Sequence, residues 1–130
     1  MKRILLACFL LTATCSVTSF QNAVAQTTFT PVTLSAFTAK VNTLDAYIAA
    51  SNMTAAQTTW NEIHTMMLSV LHTSKESIYG ATSPADKSAH VTILENQRTI
   101  YQVCWELKNN LTANRAVLHT KLGEFGATIY

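Results

Sequence analysis

Charge, glycine, proline and cysteine are all scarce in this chain. Charged residues make up 12 % of its 130 residues, with three glycines, two prolines and three cysteines. So few glycines leave no Gly-rich phosphate loop and no nucleophile elbow. No Cys-x-x-Cys-His exists for covalent haem, and no Glu-x-x-His for a helical di-iron centre. No basic stripe is present, so nucleic acid is not an expected partner. No apolar run reaches the roughly 20 residues that a membrane-spanning helix needs.

The N-terminus is organised as a targeting segment. Lys2 and Arg3 precede the apolar run Ile4 to Leu11, and Ala23-Val24-Ala25 has small residues in the A-x-A arrangement before Gln26. This order of charge, apolar run and cleavage site predicts a secretory signal peptide, residues 1–25, cut near Ala25. The rivals are a membrane anchor and a lipidated Cys8. Only seven residues precede that cysteine, too few for a hydrophobic core. Cleavage takes Lys2 and Arg3 but no acidic residue, so the remaining chain, 26–130, has balanced charge and the length of one domain. Of the cysteines only Cys104 survives, so the fold must rest on packing rather than disulfides. The expected location is the periplasm or the exterior.

What is abundant is apolar residues at helical spacing. Leu34, Phe37, Val41, Leu44 and Ile48 step by three and four, which keeps them on one face of a first helix starting at Thr30-Pro31 or Thr33. Thr54 with Gln57 reads as a capping box for a second helix, whose face is Trp60, Ile63, Met67, Val70, Leu71, Ser74 and Ile78. Gly80 follows as a left-handed stop. Ser83-Pro84-Ala85-Asp86 then supplies a cap, a first-turn proline and a first-turn acid for a third helix. The short turn makes helices two and three an antiparallel hairpin.

The third helix carries the widest stripe: His90, Ile93, Gln97, Ile100, Cys104, Leu107 and Leu111, flanked by Leu94, Tyr101 and Trp105. Such a face must be covered by other helices. Leu118, Leu122, Phe125 and Ile129 continue it in phase, so Ala85–Gly126 reads either as one helix roughly 60 Å long or as two. The poor helix formers Lys108-Asn109-Asn110 and a cap at Thr112 favour a break near Asn109–Thr112. The predicted fold is all-α: an antiparallel up-and-down bundle, three long helices plus a short fourth. Threonines inside the helices, such as Thr58, Thr65, Thr92 and Thr99, are indifferent helix formers, so the helices must depend on one another.

Residues able to carry chemistry are few. His72 and Glu76, and Asp86 and His90, are pairs four apart on either side of one turn. Two imidazoles and two carboxylates would suit a divalent transition ion. At 100° per residue, however, Asp86 and His90 lie on the apolar stripe of their helix, while His72 and Glu76 lie roughly 150–170° from theirs. His64 and His72 are about 12 Å apart along one helix. Asn52-Met53-Thr54 and Asn110-Leu111-Thr112 match glycosylation acceptors, but both fall at helix starts, where Asn and Thr are expected as caps.

Arg115-Ala116-Val117-Leu118-His119-Thr120-Lys121 is similar to the terminal helix of the cytochrome b562 family, periplasmic four-helix haem proteins. The resemblance covers those seven residues and implies His119 as an axial haem ligand with Arg115 near the haem edge. The family also needs a methionine in its first helix. Between Leu34 and Ser51 there is neither Met nor His, and Phe37 stands at the corresponding register.

These readings lead to an exported, non-enzymatic interaction or structural module, with an unknown protein partner or self-association and no cofactor. The alternative is a small-ligand, metal or haem binder with His119 or His90 as its polar handle. An unrecognised enzyme is the third reading.

Overall fold

The computed structural model describes residues 29–130, so the expected leader lies outside the described residues. Four helices follow one another: α1 (Leu34–Ala49), α2 (Met53–Gly80), α3 (Pro84–Leu107) and α4 (Leu111–Gly126). Each is antiparallel to the next. Lys40 meets Glu62 across α1 and α2, His64 meets Tyr101 across α2 and α3, and Gln97 meets Thr128 just past the end of α4. Arg115 on α4 meets Asp45 on α1, which closes the ring. The bundle is up-down-up-down, and α4 folds back rather than prolonging α3.

The core is made by the predicted stripes. Phe37, Val41, Leu44 and Ile48 from α1 meet Trp60, Ile63, Met67 and Val70 from α2, Ile100 and Cys104 from α3, and Leu111, Leu118, Leu122 and Phe125 around α4. Leu34 at the first turn of α1 and Trp105 on the flank of the α3 stripe are exposed instead. Thr58, Thr65, Thr92 and Thr99 turn their hydroxyls back to carbonyls four residues earlier, which satisfies them without a tertiary partner.

The connections differ in detail from expectation. Ser51 is left-handed, with φ 56°, and the N–H groups of Ser51 and Asn52 donate to the carbonyls of Ile48 and Tyr47. This paired closure ends α1. The Asn52 side chain then accepts from Ala55 N and starts α2. Asn52 therefore serves both helices, and the cap falls there rather than at Thr54. At the other end α2 runs through Gly80 without a left-handed residue, because Ala81 turns extended. Ser83 is extended too, as the residue before a proline must be, and its Oγ accepts from Asp86 N.

The break after α3 is a short 3-10 turn, Lys108–Asn110. Asn110, not Thr112, caps α4 through Ala113 N, and Asn114 donates to the Leu107 carbonyl left over from α3.

α2 and α3 have 28 and 24 residues, α1 and α4 only 16 each. The α2–α3 hairpin therefore outruns its partners by about 12–18 Å at 1.5 Å per residue. The extended lead 29–33 lies along α2 at this level: Ser69 donates to the Thr30 carbonyl at 2.6 Å, and Phe29 stacks on His72 at 4.3 Å.

One polar side chain is wholly enclosed. Gln97 donates from Nε2 to the hydroxyl and carbonyl of Thr128, while its Oε1 has no partner among the described residues.

Candidate functional site

The α2–α3 register places three ring-bearing residues together on the outside of the bundle. The turn centred between Thr82 and Ser83 sets His64 opposite Tyr101, and Trp105 is one helical turn further along the same flank of α3. His64 Nε2 and the Tyr101 hydroxyl are 2.8 Å apart. Ring centroids are separated by 5.7 Å for His64 and Tyr101, 4.9 Å for His64 and Trp105, and 6.3 Å for Tyr101 and Trp105. The Lys108 ammonium lies 4.2 Å from the centre of the Trp105 ring.

Unlike the other tryptophan, this one is outside the core. Trp60 is 2 % exposed and Trp105 44 % exposed, while Leu68, one turn after His64, is 38 % exposed. Burial, and then the nearby Lys108 charge, hold His64 below the ordinary histidine range. Burial raises the Tyr101 phenol. A neutral imidazole and a protonated phenol therefore share the bond between them, and the cluster is uncharged apart from Lys108 and Glu106 at its edge. Tyr101, Gln102, Trp105 and Glu106 line an open depression of about 300 Å³. Rigid aromatic area of this kind, wet on one side, binds at low cost in side-chain entropy.

The candidates read from sequence are spread over the molecule. His72 is exposed and stacked on Phe29, and Glu76 is exposed beside solvent. Asp86 accepts from the Ser83 hydroxyl at 2.6 Å as part of the α3 cap, and His90 is half-buried one turn later. No three His, Cys, Asp or Glu side chains come together among the described residues.

His119 is exposed on the α1–α4 face, with Nε2 3.5 Å from Asn42 Oδ1. Beside it Arg115 donates from Nε and Nη2 to the two carboxylate oxygens of Asp45 at 2.6 and 2.8 Å. The hydrogen bonds from Arg115 hold the Asp45 carboxyl below its usual range; burial opposes them, and the Arg115 charge adds a smaller lowering effect.

The helix register keeps His119 and His90 more than about 20 Å apart along the bundle. Phe37 packs on Phe125 at 5.6 Å, filling the interior where the family resemblance would need a second ligand. Beneath His119 the cavity bounded by Leu44, Ile48, Leu118 and Leu122 measures about 10 Å³, the room of a single water at most. The residues present do not fit a haem.

The aromatic cluster itself was only half legible in the sequence. Tyr101 and Trp105 stand out as flanking members of the α3 stripe, but the expectation was that they widen the core. Reflecting the two helices about a point between Thr82 and Ser83 pairs His64 with Tyr101, and that is the signal that joins them.

No protein-family profile matches the chain, and comparisons with curated proteins and with solved structures find no relative.

Proposed function

We propose that this protein is an exported, non-enzymatic interaction module that docks a protein partner through the α2–α3 face bearing His64, Leu68, Tyr101 and Trp105. Export is supported by the ordered charge, apolar run and A-x-A site of residues 1–25. The observation that carries the docking role is Trp105. An indole 44 % exposed, ringed by His64, Tyr101 and Lys108, has no packing duty in the core. Tryptophan and tyrosine dominate the energetics of protein interfaces when a partner covers them. The well-filled interior favours a surface mode of action over enclosure of a small ligand.

Sedimentation in extracts of the producing cells tests this reading. The wild-type chain travels in an assembly heavier than one copy, and a Tyr101→Ser, Trp105→Ser double variant, with its helicity retained, travels as a single chain. Identical sedimentation of the two would contradict the proposal.

A further inference from the structure

We infer that the end of the bundle binds a small neutral amphiphile, an apolar body with one uncharged hydroxyl-type head, and that Ser74 is the side chain that receives the head. The site is separate from the docking face and stands on its own geometry. The four-helix interior is filled, but the α2–α3 hairpin outruns α1 and α4. There the lead before α1 and residues 127–130 after α4 lie against α2 and leave a cavity of about 280 Å³ between them. Pro31 and Val32 of the lead, Val70 of α2 and Ile129 past α4 give it apolar walls. An apolar space of about 150 Å³ holds benzene, so this one has room for roughly ten non-hydrogen atoms.

The hydroxyls in the wall decide what fits. Thr73 donates to the Ser69 carbonyl, Ser77 to the Thr73 carbonyl and Thr128 to the Phe125 carbonyl, so those three are committed to backbone. Gln97, itself fully buried, donates to the Thr128 hydroxyl and fixes that side of the wall. Ser74 borders the same cavity, is only 8 % exposed, and has no hydrogen-bond partner among the described residues. It is the polar member of an otherwise apolar stripe of α2, and core packing gives no reason for a hydroxyl there.

No charged side chain lines the cavity, so an ion would enter it without compensation, at a cost in desolvation. A pure hydrocarbon would cover the Ser74 hydroxyl and leave it unpaired. A neutral molecule with a hydroxyl avoids both costs. Ser74 can donate to that group or accept from it, and the apolar body displaces water that finds few partners on these walls.

The test uses the full chain and three probes of equal size: 3-phenylpropan-1-ol, butylbenzene and 3-phenylpropylammonium, which end in a hydroxyl, a methyl and a charged ammonium. Binding is read from methyl signals by nuclear magnetic resonance. Val70 and Ile129 report on the cavity, and buried Ile48, at the opposite end of the bundle, is the reference. The alcohol shifts the Val70 and Ile129 signals saturably, and the ammonium binds at least tenfold more weakly. Ser74→Ala keeps the walls and removes the hydroxyl. It weakens the alcohol about fivefold, the loss of one neutral hydrogen bond, and does not weaken butylbenzene. Thr99→Ala, which removes an exposed hydroxyl on α3, changes neither. Four results would overturn the inference: no saturable shift with any probe, an ammonium bound as tightly as the alcohol, an alcohol affinity untouched by Ser74→Ala, or an equal loss of alcohol and butylbenzene in that variant.

Discussion

His64 Nε2 and the Tyr101 hydroxyl meet at 2.8 Å across the α2–α3 interface, 37 residues apart in sequence. That bond joins the two helices at the level where the aromatic cluster opens to solvent, and which partner donates depends on the tautomer of the imidazole. Trp105 leans on the same imidazole at 4.9 Å. The surface proposed as a docking face is thereby held from both helices, and His64 is its hinge.

A pH dependence follows. Burial and Lys108 lower the folded-state pKa of His64 below the ordinary 6.5. The unfolded chain then binds the proton more readily than the folded one, so stability is full above 6.5 and falls as the pH drops through 6.5 toward the folded value. Urea unfolding at neutral and mildly acidic pH should show this loss, and His64→Gln should reduce it. A His64 ring that titrates above 6.5 by nuclear magnetic resonance would contradict the assignment.

Cys104 should be inert in the native protein. It is fully buried and unpaired, and burial pushes its thiol up to about 12. Thiol reagents should label it only as fast as the bundle unfolds. Cys104→Ala should cost on the order of 1 kcal/mol through the small cavity it leaves. Rapid labelling of the folded chain would show that α3 is not packed as described.

Leu118 reports on the fold-back of α4. It is 1 % exposed and belongs to the same cluster as Leu44, Phe125 and Met67. Leu118→Asp puts a carboxylate into that cluster without a partner and should destabilise the fold by more than about 3 kcal/mol. Val117→Asp, one residue away and 52 % exposed, should be close to neutral. Far-ultraviolet dichroism during thermal unfolding separates the two. Similar melting temperatures would mean that α4 does not cover α1 and α3.

Most of the fold could be read from residue spacing, because each helix carries a stripe that only another helix can bury. Ser83-Pro84-Asp86 marked the start of α3 correctly, since cap, proline and acid each favour the same position. The Asn52 cap was missed for a tertiary reason: Ser51 had to turn left-handed before Asn52 could both close α1 and open α2. Gly80 misled because extended Ala81, with proline soon after, ends the helix without using glycine's freedom.

For the candidate site, chemistry was legible only along single helices. His72 with Glu76 and Asp86 with His90 were visible as pairs at helical spacing. The His64, Tyr101 and Trp105 cluster spans two helices and needs their register. Spacing alone places Trp105 beside the α3 stripe and does not say how far around α3 the covering helices reach.

The most direct test of the docking face is site-specific photo-crosslinking in the producing cells. A benzophenone side chain replaces Leu68, which borders the cluster, or Val117 on α4 as a control; both sites are exposed. The account predicts a discrete covalent adduct from position 68, lost when Tyr101 and Trp105 are also changed to serine, and none from position 117. Adducts of equal yield from both positions, or a position-68 adduct indifferent to the serine changes, would contradict it.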